Sequence, residues 1–224
     1  MPLSLTYESF HSLISNDPVP HVVVDFRASQ EKAIPAVEEY NTKVVKPDEY
    51  LDDLVAEDGC AVVVYDSSDA PEFKSDRAVV FFNVNTEPAA SDSFQLKSKD
   101  CQTVMTERDN LVFLDVRRQD EVDNFGMLSY AVHIPLHELL RQLNQGAHSE
   151  GLEKLLSATK PVVTGCRTSR RAKFCTQLLH DVGVRDAQYL DKGACGMSKF
   201  PENNMKCYKS YELTDPVPEP SDEP

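Results

Sequence analysis

One cysteine is followed closely by positive charge. Residues 162 to 171 read "VVTGCRTSRR", an apolar run that stops at Cys166 and is followed by Arg167, Arg170 and Arg171. A free thiol has a pKa of about 8.5, but cations and helix amino termini lower it to about 3.5 to 7.5. We therefore predict that Cys166 is a nucleophilic thiolate and that the arginines attract an anionic substrate. Apolar packing alone would explain a cysteine here but not the arginines.

The residues after this cysteine predict a helix. From Arg170 onward, apolar residues recur three to four positions apart, and Gly183 ends the pattern. These residues are Ala172, Cys175, Leu179 and Val182. Cys166 would then lie in the loop at the helix amino terminus, where backbone N–H groups and the helix dipole stabilise an anion. Cys175 falls on the apolar face, which predicts a packed thiol without chemistry.

Four sequence anchors occur twice, about ninety residues apart. They are a short helix (5 to 14 and 96 to 105), a buried strand ending in Asp-x-Arg (21 to 27 and 111 to 117), an amphipathic helix opened by Pro47 and by Pro135, and a second buried strand (61 to 66 and 161 to 166). Strands that read as continuous Val and Leu runs, alternating with helices, indicate parallel sheets covered on both faces. The predicted fold class is α/β, with two domains of the same topology, each a mainly parallel sheet flanked by helices on both faces.

The predicted domains are residues 1–90 and 91–211, because Pro, Ala and Ser interrupt the periodic pattern in "NTEPAASDS". Residues 212–224 are rich in proline and acidic residues, which predicts a disordered tail. Aligning the two copies puts Asp66 where the second copy has Cys166. The loop "DSSDA" that begins there has two carboxylates and no cation, so the first domain is predicted to be inactive and to serve as a packing partner or docking surface.

Composition excludes several classes of function. The formal net charge of -14 makes nucleic-acid binding an unexpected role. No stretch approaches the roughly 18 apolar residues of a membrane span, and no leader is recognisable, so we expect a soluble, cytoplasmic protein. The six cysteines show no metal-binding spacing, which predicts reduced thiols and no metal site. No dinucleotide or P-loop motif is present, so no cofactor is expected.

Four segments of the second copy occur in the order that is typical of one protein family. They are "LVFLDVRRQDEV", "GMLSYAVHIPLHEL", "VVTGCRTSRRA" and "LDKGACGM". Together they resemble the rhodanese family of sulfurtransferases, over about residues 94 to 200. The first copy resembles a degenerate module of the same family, so the chain would be a tandem of rhodanese-like domains with an inactive first member.

The resemblance implies a reaction. Cys166 would accept a sulfane sulfur from a donor such as thiosulfate, hold it as a persulfide against the loop amides, and pass it to a thiol or to cyanide. The donor would be bound by the loop residues Arg167, Thr168, Ser169, Arg170 and Arg171. Asp115 and Arg117 match the family's Asp-x-Arg after the first strand and would support the active-site region, although a purely structural ion pair is the favoured role. The implied partners are small molecules, and the acidic first domain could bind a protein.

The second copy departs from the family pattern at several positions. Ser169 stands where the family has glycine, and this would strain a left-handed backbone. Lys192 replaces the first glycine of a pair, and Met197 stands where tryptophan is frequent, so substrate preference is open. Cys195 is expected beside the loop, either as a resolving thiol that forms a disulfide with Cys166 or as a half-buried cysteine without a role.

Two alternative functions remain at this point. A cysteine phosphatase uses the signature Cys-x5-Arg, but the sixth residue after Cys166 is Ala172 and the arginine comes one position earlier. A regulatory or binding protein would keep a reactive cysteine without turnover and use its acidic domain and tail to recruit a partner. Repeated turnover, as opposed to a single labelling of the thiol, separates this alternative from an enzyme.

Overall fold

The computed structural model describes residues 2–28, 33–34, 36–37, 39–88, 96–146, 148–200 and 205. In chain order the elements are α1 (Tyr7–Asn16), β1 (His21–Asp25), β2 (Val44–Val45), β3 (Cys60–Tyr65), β4 (Ala78–Asn83), β5 (Ser98–Lys99), α2 (Cys101–Thr106), β6 (Val112–Asp115), α3 (Gln119–Phe125), β7 (Val132–His133), α4 (Leu136–Gln145), α5 (Glu150–Leu156), β8 (Val162–Gly165), α6 (Arg170–Asp181), β9 (Ala187–Leu190) and α7 (Gly193–Met197). None of the described helices is long and apolar enough to cross a membrane. The proposed tail, 212–224, lies outside the described residues.

The chain divides into two compact units. The first comprises Met1–Phe94 with Leu136–Ser149, and the second comprises Gln95–Pro135 with Glu150–Pro224. The sheet of the first has the order β2-β1-β3-β4 and that of the second the order β5-β9-β8-β6-β7, with every strand pair parallel. The predicted fold class, α/β with parallel sheets flanked by helices, is confirmed.

Valine-rich strands form the sheet of the first unit. All six residues of β3 are buried, as expected for a strand covered on both faces. Val22 and Val63 belong to a core cluster on one face. Phe10 of α1 stacks on Phe82 of β4, with ring centroids 3.9 Å apart. The side chain of Thr6 caps α1 by accepting a hydrogen bond from the N–H of Ser9, so the predicted first helix is confirmed.

Helix α4 belongs to the first unit, although its sequence lies within the predicted second domain. Leu139 and Leu140 on its apolar face are fully buried, and the helix contacts β4. The side-chain oxygen of Asn144 also accepts a hydrogen bond from the N–H of Leu3 over 2.8 Å. The apolar stripe after Pro135 predicts the helix itself, but a stripe does not specify which sheet will cover it.

Helices cover both faces of the sheet in the second unit. Consecutive residues of β8 point to opposite faces, so neighbouring side chains contact different layers. Val163 packs in a cluster with Val104 of α2 and Met197 of α7. Thr164 faces α6 on the other side, where its hydroxyl donates to the carbonyl oxygen of Ala172 over 2.9 Å. The strand that precedes Cys166 is thereby held between two layers of helices.

Strand register corrects the alignment of the two copies. Asp25 pairs with Val64 in the first sheet, and Asp115 pairs with Gly165 in the second. The residue that follows Gly165 is Cys166, so its counterpart is Tyr65 and not Asp66 as predicted. An apolar run identifies a buried strand but does not define its register, so it leaves the counterpart of Cys166 uncertain by one residue.

The prediction of an amphipathic helix after Pro47 is wrong. Only a three-residue 3-10 helix, Asp52–Leu54, forms in this region, and it contains no buried residue. The segment "VKPDEYLDDL" has the charge pattern of an exposed helix, which needs an apolar face to pack on the sheet. Leu54 is only partly buried against the core cluster of the first sheet, so that face is small. A helix without an apolar face to bury gains little from tertiary packing.

Asp25 supplies a test of how charge stabilises the first unit. Burial alone would raise the pKa of Asp25, but hydrogen bonds from Arg27 and Lys46 outweigh this and lower its pKa below the usual range. A lowered pKa adds stability above the unfolded-state pKa of about 3.9, and that stability is lost as the pH falls. Asp25→Asn should therefore be less stable than the wild type at pH 7. The difference in stability between the two proteins should become smaller as the pH is lowered.

Urea unfolding midpoints measured at several pH values between neutral and acid would check this expectation. The exposed Asp53→Asn serves as the control and should show an acid dependence parallel to that of the wild type. Parallel curves for Asp25→Asn and the wild type would show that the buried carboxylate does not contribute as argued.

Candidate active site

Cys166 lies where β8 ends and the loop to α6 begins. In open α/β sheets, ligands bind at the carboxyl ends of the strands, so this position is suited to a site. Cys166 is 1% exposed. It is a free thiol, as are Cys60, Cys101 and Cys175.

Two backbone N–H groups point at the sulfur of Cys166. The N–H of Ser169 donates to Sγ over 3.2 Å, and the N–H of Ala172 donates over 3.4 Å. Both belong to the amino-terminal end of α6, which has 12 residues and adds partial positive charge there. An anion at Sγ would therefore be stabilised without help from any side chain.

Ser169 adopts the left-handed conformation that was anticipated from its glycine-like position. Its φ is 119°, which glycine adopts readily and other residues rarely do. Its hydroxyl donates to the carbonyl oxygen of Leu190, at the end of β9, over 2.8 Å. Lys192, the other non-glycine replacement, also has a positive φ, of 61°. Both positions, one before α6 and one before α7, thus keep a glycine-type backbone without a glycine.

Helix α7 supports the Cys166 loop through two backbone hydrogen bonds. The N–H of Ala194 donates to the carbonyl oxygen of Cys166 over 2.8 Å, and the N–H of Cys195 donates to that of Arg167 over 3.2 Å. Gly193 has a φ of 51°, and a Cβ atom there would collide with both carbonyl oxygens. The segment "LDKGACGM" therefore needs its first glycine, Gly193, for a close backbone approach.

The three arginines of the loop occupy different environments. Arg171 is buried, and its two terminal nitrogens donate to the carboxylate of Glu121 over 2.7 and 2.8 Å. Arg167 is also buried, whereas Arg170 is partly exposed. Thr168 is partly exposed as well. The guanidinium of Arg171 is therefore engaged in an ion pair with Glu121. The role of the five loop residues in substrate binding stays a prediction.

Glu121 is a residue that sequence reasoning missed. Besides pairing with Arg171, its Oε2 accepts a hydrogen bond from the N–H of Arg118, so it also closes the first turn of α3. The available signal was a glutamate three residues after the start of the helical segment "RQDEV", as in a capping box. The pair joins α3 to α6, the helix that follows the Cys166 loop.

The Asp115–Arg117 ion pair is present and buried. Arg117 is 0% exposed, and its Nη2 lies 2.7 Å from Oδ2 of Asp115. The same Nη2 donates to the carbonyl oxygen of Gly126, and a ring nitrogen of His133 lies 2.8 Å from the carbonyl oxygen of Arg117. These contacts fix the turn after β6, which agrees with a structural ion pair. A part in the chemistry stays a prediction.

Cys195 is disulfide-bonded, but its partner is not Cys166, which is free. The interpretation of all six cysteines as reduced thiols is therefore wrong for Cys195. Its expected place beside the loop is observed, because its N–H bonds to Arg167. The resolving role stays a prediction.

Within the described residues, no group of three or more His, Cys, Asp or Glu side chains could hold a metal ion.

The corresponding loop of the first unit is stabilised by its own polar groups. Oδ1 of Asp66 accepts a hydrogen bond from the N–H of Ala28, and the side-chain amide of Asn85 donates to the carbonyl oxygen of Asp66. Ser67 donates to the carbonyl oxygen of Asp69. Tyr65 occupies the position of the cysteine, so this loop carries no thiol. The inactivity of this unit stays a prediction.

The Glu121–Arg171 pair leads to a stability prediction. Glu121→Gln would leave the buried Arg171 cation without its counter-charge, a change that typically lowers the free energy of unfolding by about 3 to 5 kcal/mol. Asp120→Asn, on the same helix, removes an exposed pair with Arg118 and should change the free energy of unfolding by at most about 1 kcal/mol. Urea unfolding at pH 7 measures both. Equal losses in the two variants would contradict a special role for the buried pair.

Residues 98–198 match the family model of the rhodanese-like domain. Several solved structures are similar to the chain. A single-domain sulfurtransferase from Saccharomyces cerevisiae has 18% sequence identity and a TM-score of 0.40, and the match covers 51% of this chain and 98% of the other. A human single-domain sulfurtransferase has 20% identity and a TM-score of 0.37, with 47% of this chain and 98% of the other covered, and thiosulfate sulfurtransferase from Pseudomonas aeruginosa has 15% identity and a TM-score of 0.37, with 88% and 42% covered. No curated protein matches the chain. The family model covers the same strands, loop and helices that surround Cys166. The chain therefore carries a rhodanese-like domain at residues 98–198.

Proposed function

We propose that this protein is a thiosulfate sulfurtransferase-like enzyme that moves a sulfane sulfur from a donor such as thiosulfate to a thiol or to cyanide, through a persulfide at Cys166. The observation that carries the proposal is the convergence of the Ser169 and Ala172 N–H groups on the sulfur of Cys166. The rhodanese-like domain supports it.

In the first step, an electron pair of the Cys166 thiolate attacks the sulfane sulfur of thiosulfate. The S–S bond of thiosulfate breaks, and sulfite leaves with the bonding pair. Cys166 then carries a persulfide whose outer sulfur bears the negative charge, about 2.05 Å beyond Sγ. The N–H groups of Ser169 and Ala172 already point at Sγ, and with the other loop amides they would form a preorganised set of donors that stabilises the anion without rearrangement.

In the second step, the acceptor attacks the outer sulfur. Cyanide takes the sulfur as thiocyanate, and the bonding pair returns to Cys166 as a thiolate. A thiolate acceptor becomes a persulfide in the same way. The protein is restored and needs no further oxidant or reductant. The chemistry requires Cys166 in its reduced form, and this thiol is free in the structure.

Positive charge near the loop would bind the donor. We assign this role to Arg170, which is partly exposed, with Arg167 and the Thr168 and Ser169 backbone as neighbours. Arg171 acts through its pair with Glu121, which holds the first turn of α6 in place beside the sulfur. The positive field reaches the anion even where a guanidinium does not touch it.

Phosphate transfer fits the loop less well. A phosphatase loop needs an arginine at the sixth position after the cysteine to hold the phosphate, and here that position is Ala172, whose side chain is fully buried. The neighbouring Arg171 is bound to Glu121. The loop is one residue too short to present this arginine to a phosphate ester.

Turnover in the full chain tests the proposal. With thiosulfate and cyanide, or a thiol such as glutathione, the wild type should turn over repeatedly, and Cys166→Ser should lose activity to background because no persulfide can form. Cys175→Ala, on the buried face of α6, is the matched control and should keep most of the activity. A phosphate ester assayed in parallel should not be hydrolysed.

Persistent sulfur transfer by Cys166→Ser would overturn the assignment of the nucleophile. If the wild type transfers no sulfur from any donor although Cys166 alkylates rapidly at neutral pH, the protein is a regulatory one that keeps a reactive thiol without turnover. Residues 1–90, which hold 17 acidic residues against 6 basic ones, would then be the place to look for the binding of a basic partner protein.

A further inference from the structure

The hydroxyl of Ser169 does not cap the helix that it precedes. A serine at this position usually accepts a hydrogen bond from an N–H two or three residues later. Ser169 makes no such bond, and its hydroxyl donates instead to the carbonyl oxygen of Leu190 over 2.8 Å. The N–H that a cap would use, that of Ala172, therefore remains directed at the sulfur of Cys166.

The backbone of Ser169 has a conformation that its side chain disfavours. With a φ of 119°, the residue lies in the region where strain is expected for anything but glycine. At this conformation its N–H donates to the Cys166 sulfur, and its carbonyl oxygen accepts from the N–H of Lys173 over 2.8 Å. A relaxation of φ to negative values would turn the N–H away from the sulfur and disturb the first turn of α6.

We propose that Ser169 is a positioning residue whose hydroxyl, through its bond to Leu190, holds the loop in a glycine-type conformation and so keeps two N–H groups aimed at Cys166. This inference rests on the proposed function, because it identifies how the loop maintains the thiolate that sulfur transfer needs. A hydrogen bond to β9 thus replaces the conformational freedom of a glycine. The residue is 5% exposed, so water does not compete for the hydroxyl.

Substitutions at one position separate the tether from the backbone requirement. Ser169→Ala keeps a Cβ atom at the strained φ but removes the bond that offsets the strain, so the loop should relax and the thiolate should lose a donor. Ser169→Gly also lacks the hydroxyl but adopts the required φ freely, so the two N–H groups should stay in place. Alanine should therefore impair the site and glycine should restore it.

The ionisation of Cys166 is the readout, because a merely structural bond would not move it. The full chain is alkylated with iodoacetamide across a pH series, and mass spectrometry follows the peptide that contains Cys166. Ser169→Ala should raise the midpoint of alkylation by about one pH unit, which is a tenfold loss of thiolate below the midpoint. Ser169→Gly should retain the wild-type midpoint. Sulfur transfer from thiosulfate to cyanide at pH 7 should fall in step with the loss of thiolate.

Ser198→Ala is the matched control. The Ser198 hydroxyl also donates to a backbone carbonyl, that of Cys195, over 2.9 Å, within the turn that ends α7. Its removal should leave the alkylation midpoint of Cys166 unchanged. A shift as large as that of Ser169→Ala would show that the effect is general and would overturn the inference.

The remaining outcomes are also decisive. Equal midpoints for the wild type and Ser169→Ala, or an equal rise for the alanine and glycine variants, would refute the tether. If Ser169→Ala does not fold, the glycine variant decides alone: a wild-type midpoint supports the inference and a raised one refutes it. Absence of sulfur transfer in the wild type defeats the proposed function but leaves the alkylation test intact.

Discussion

The site depends on one constraint: the loop after β8 must turn the N–H groups of Ser169 and Ala172 back toward the sulfur of the residue at which the strand ends. The turn requires a positive φ at Ser169, and it must be supported from outside. Leu190 at the end of β9 and the first N–H groups of α7 supply that support. The segments around Cys166 thus serve one geometry, although they are distant in sequence.

The first unit lacks a thiol in its corresponding loop, but its four strands have the same order as four of the five strands of the second sheet. Its Asp25–Arg27 pair also repeats Asp115–Arg117, which suggests that the pair serves the fold in both copies, since only one copy carries the cysteine. The first unit cannot be removed without consequence. Helix α4 buries its apolar face there, so deletion of residues 1–94 would expose Leu139 and Leu140 to water. A loss of activity after such a deletion would not separate a docking role from a folding one.

Sequence predicts the local elements well and their long-range partners poorly. The strand before Cys166 and the helix after it follow from an apolar run and a 3.6-residue period, and both are confirmed. The left-handed Ser169 follows from the family position. The Glu121–Arg171 pair does not, because the two residues lie 50 positions apart and only packing brings them together. The register that matches Cys166 to Tyr65, and the assignment of α4 to the first unit, likewise depend on tertiary contacts that hydrophobic periodicity does not encode.

Burial alone does not distinguish the cysteines. Burial raises the pKa of Cys60 to about 12 and, together with Asp191 and Asp100, that of Cys101 to about 11. Burial also raises the pKa of Cys175, and the charge of Cys166 adds to the effect. Cys166 is as inaccessible as Cys60 and Cys175, and burial in general disfavours the charged form of a thiol. What differs is position: only Cys166, among these four, receives two backbone N–H groups at a helix amino terminus. A thiolate at this site would therefore require the loop backbone to offset the cost of burying its charge.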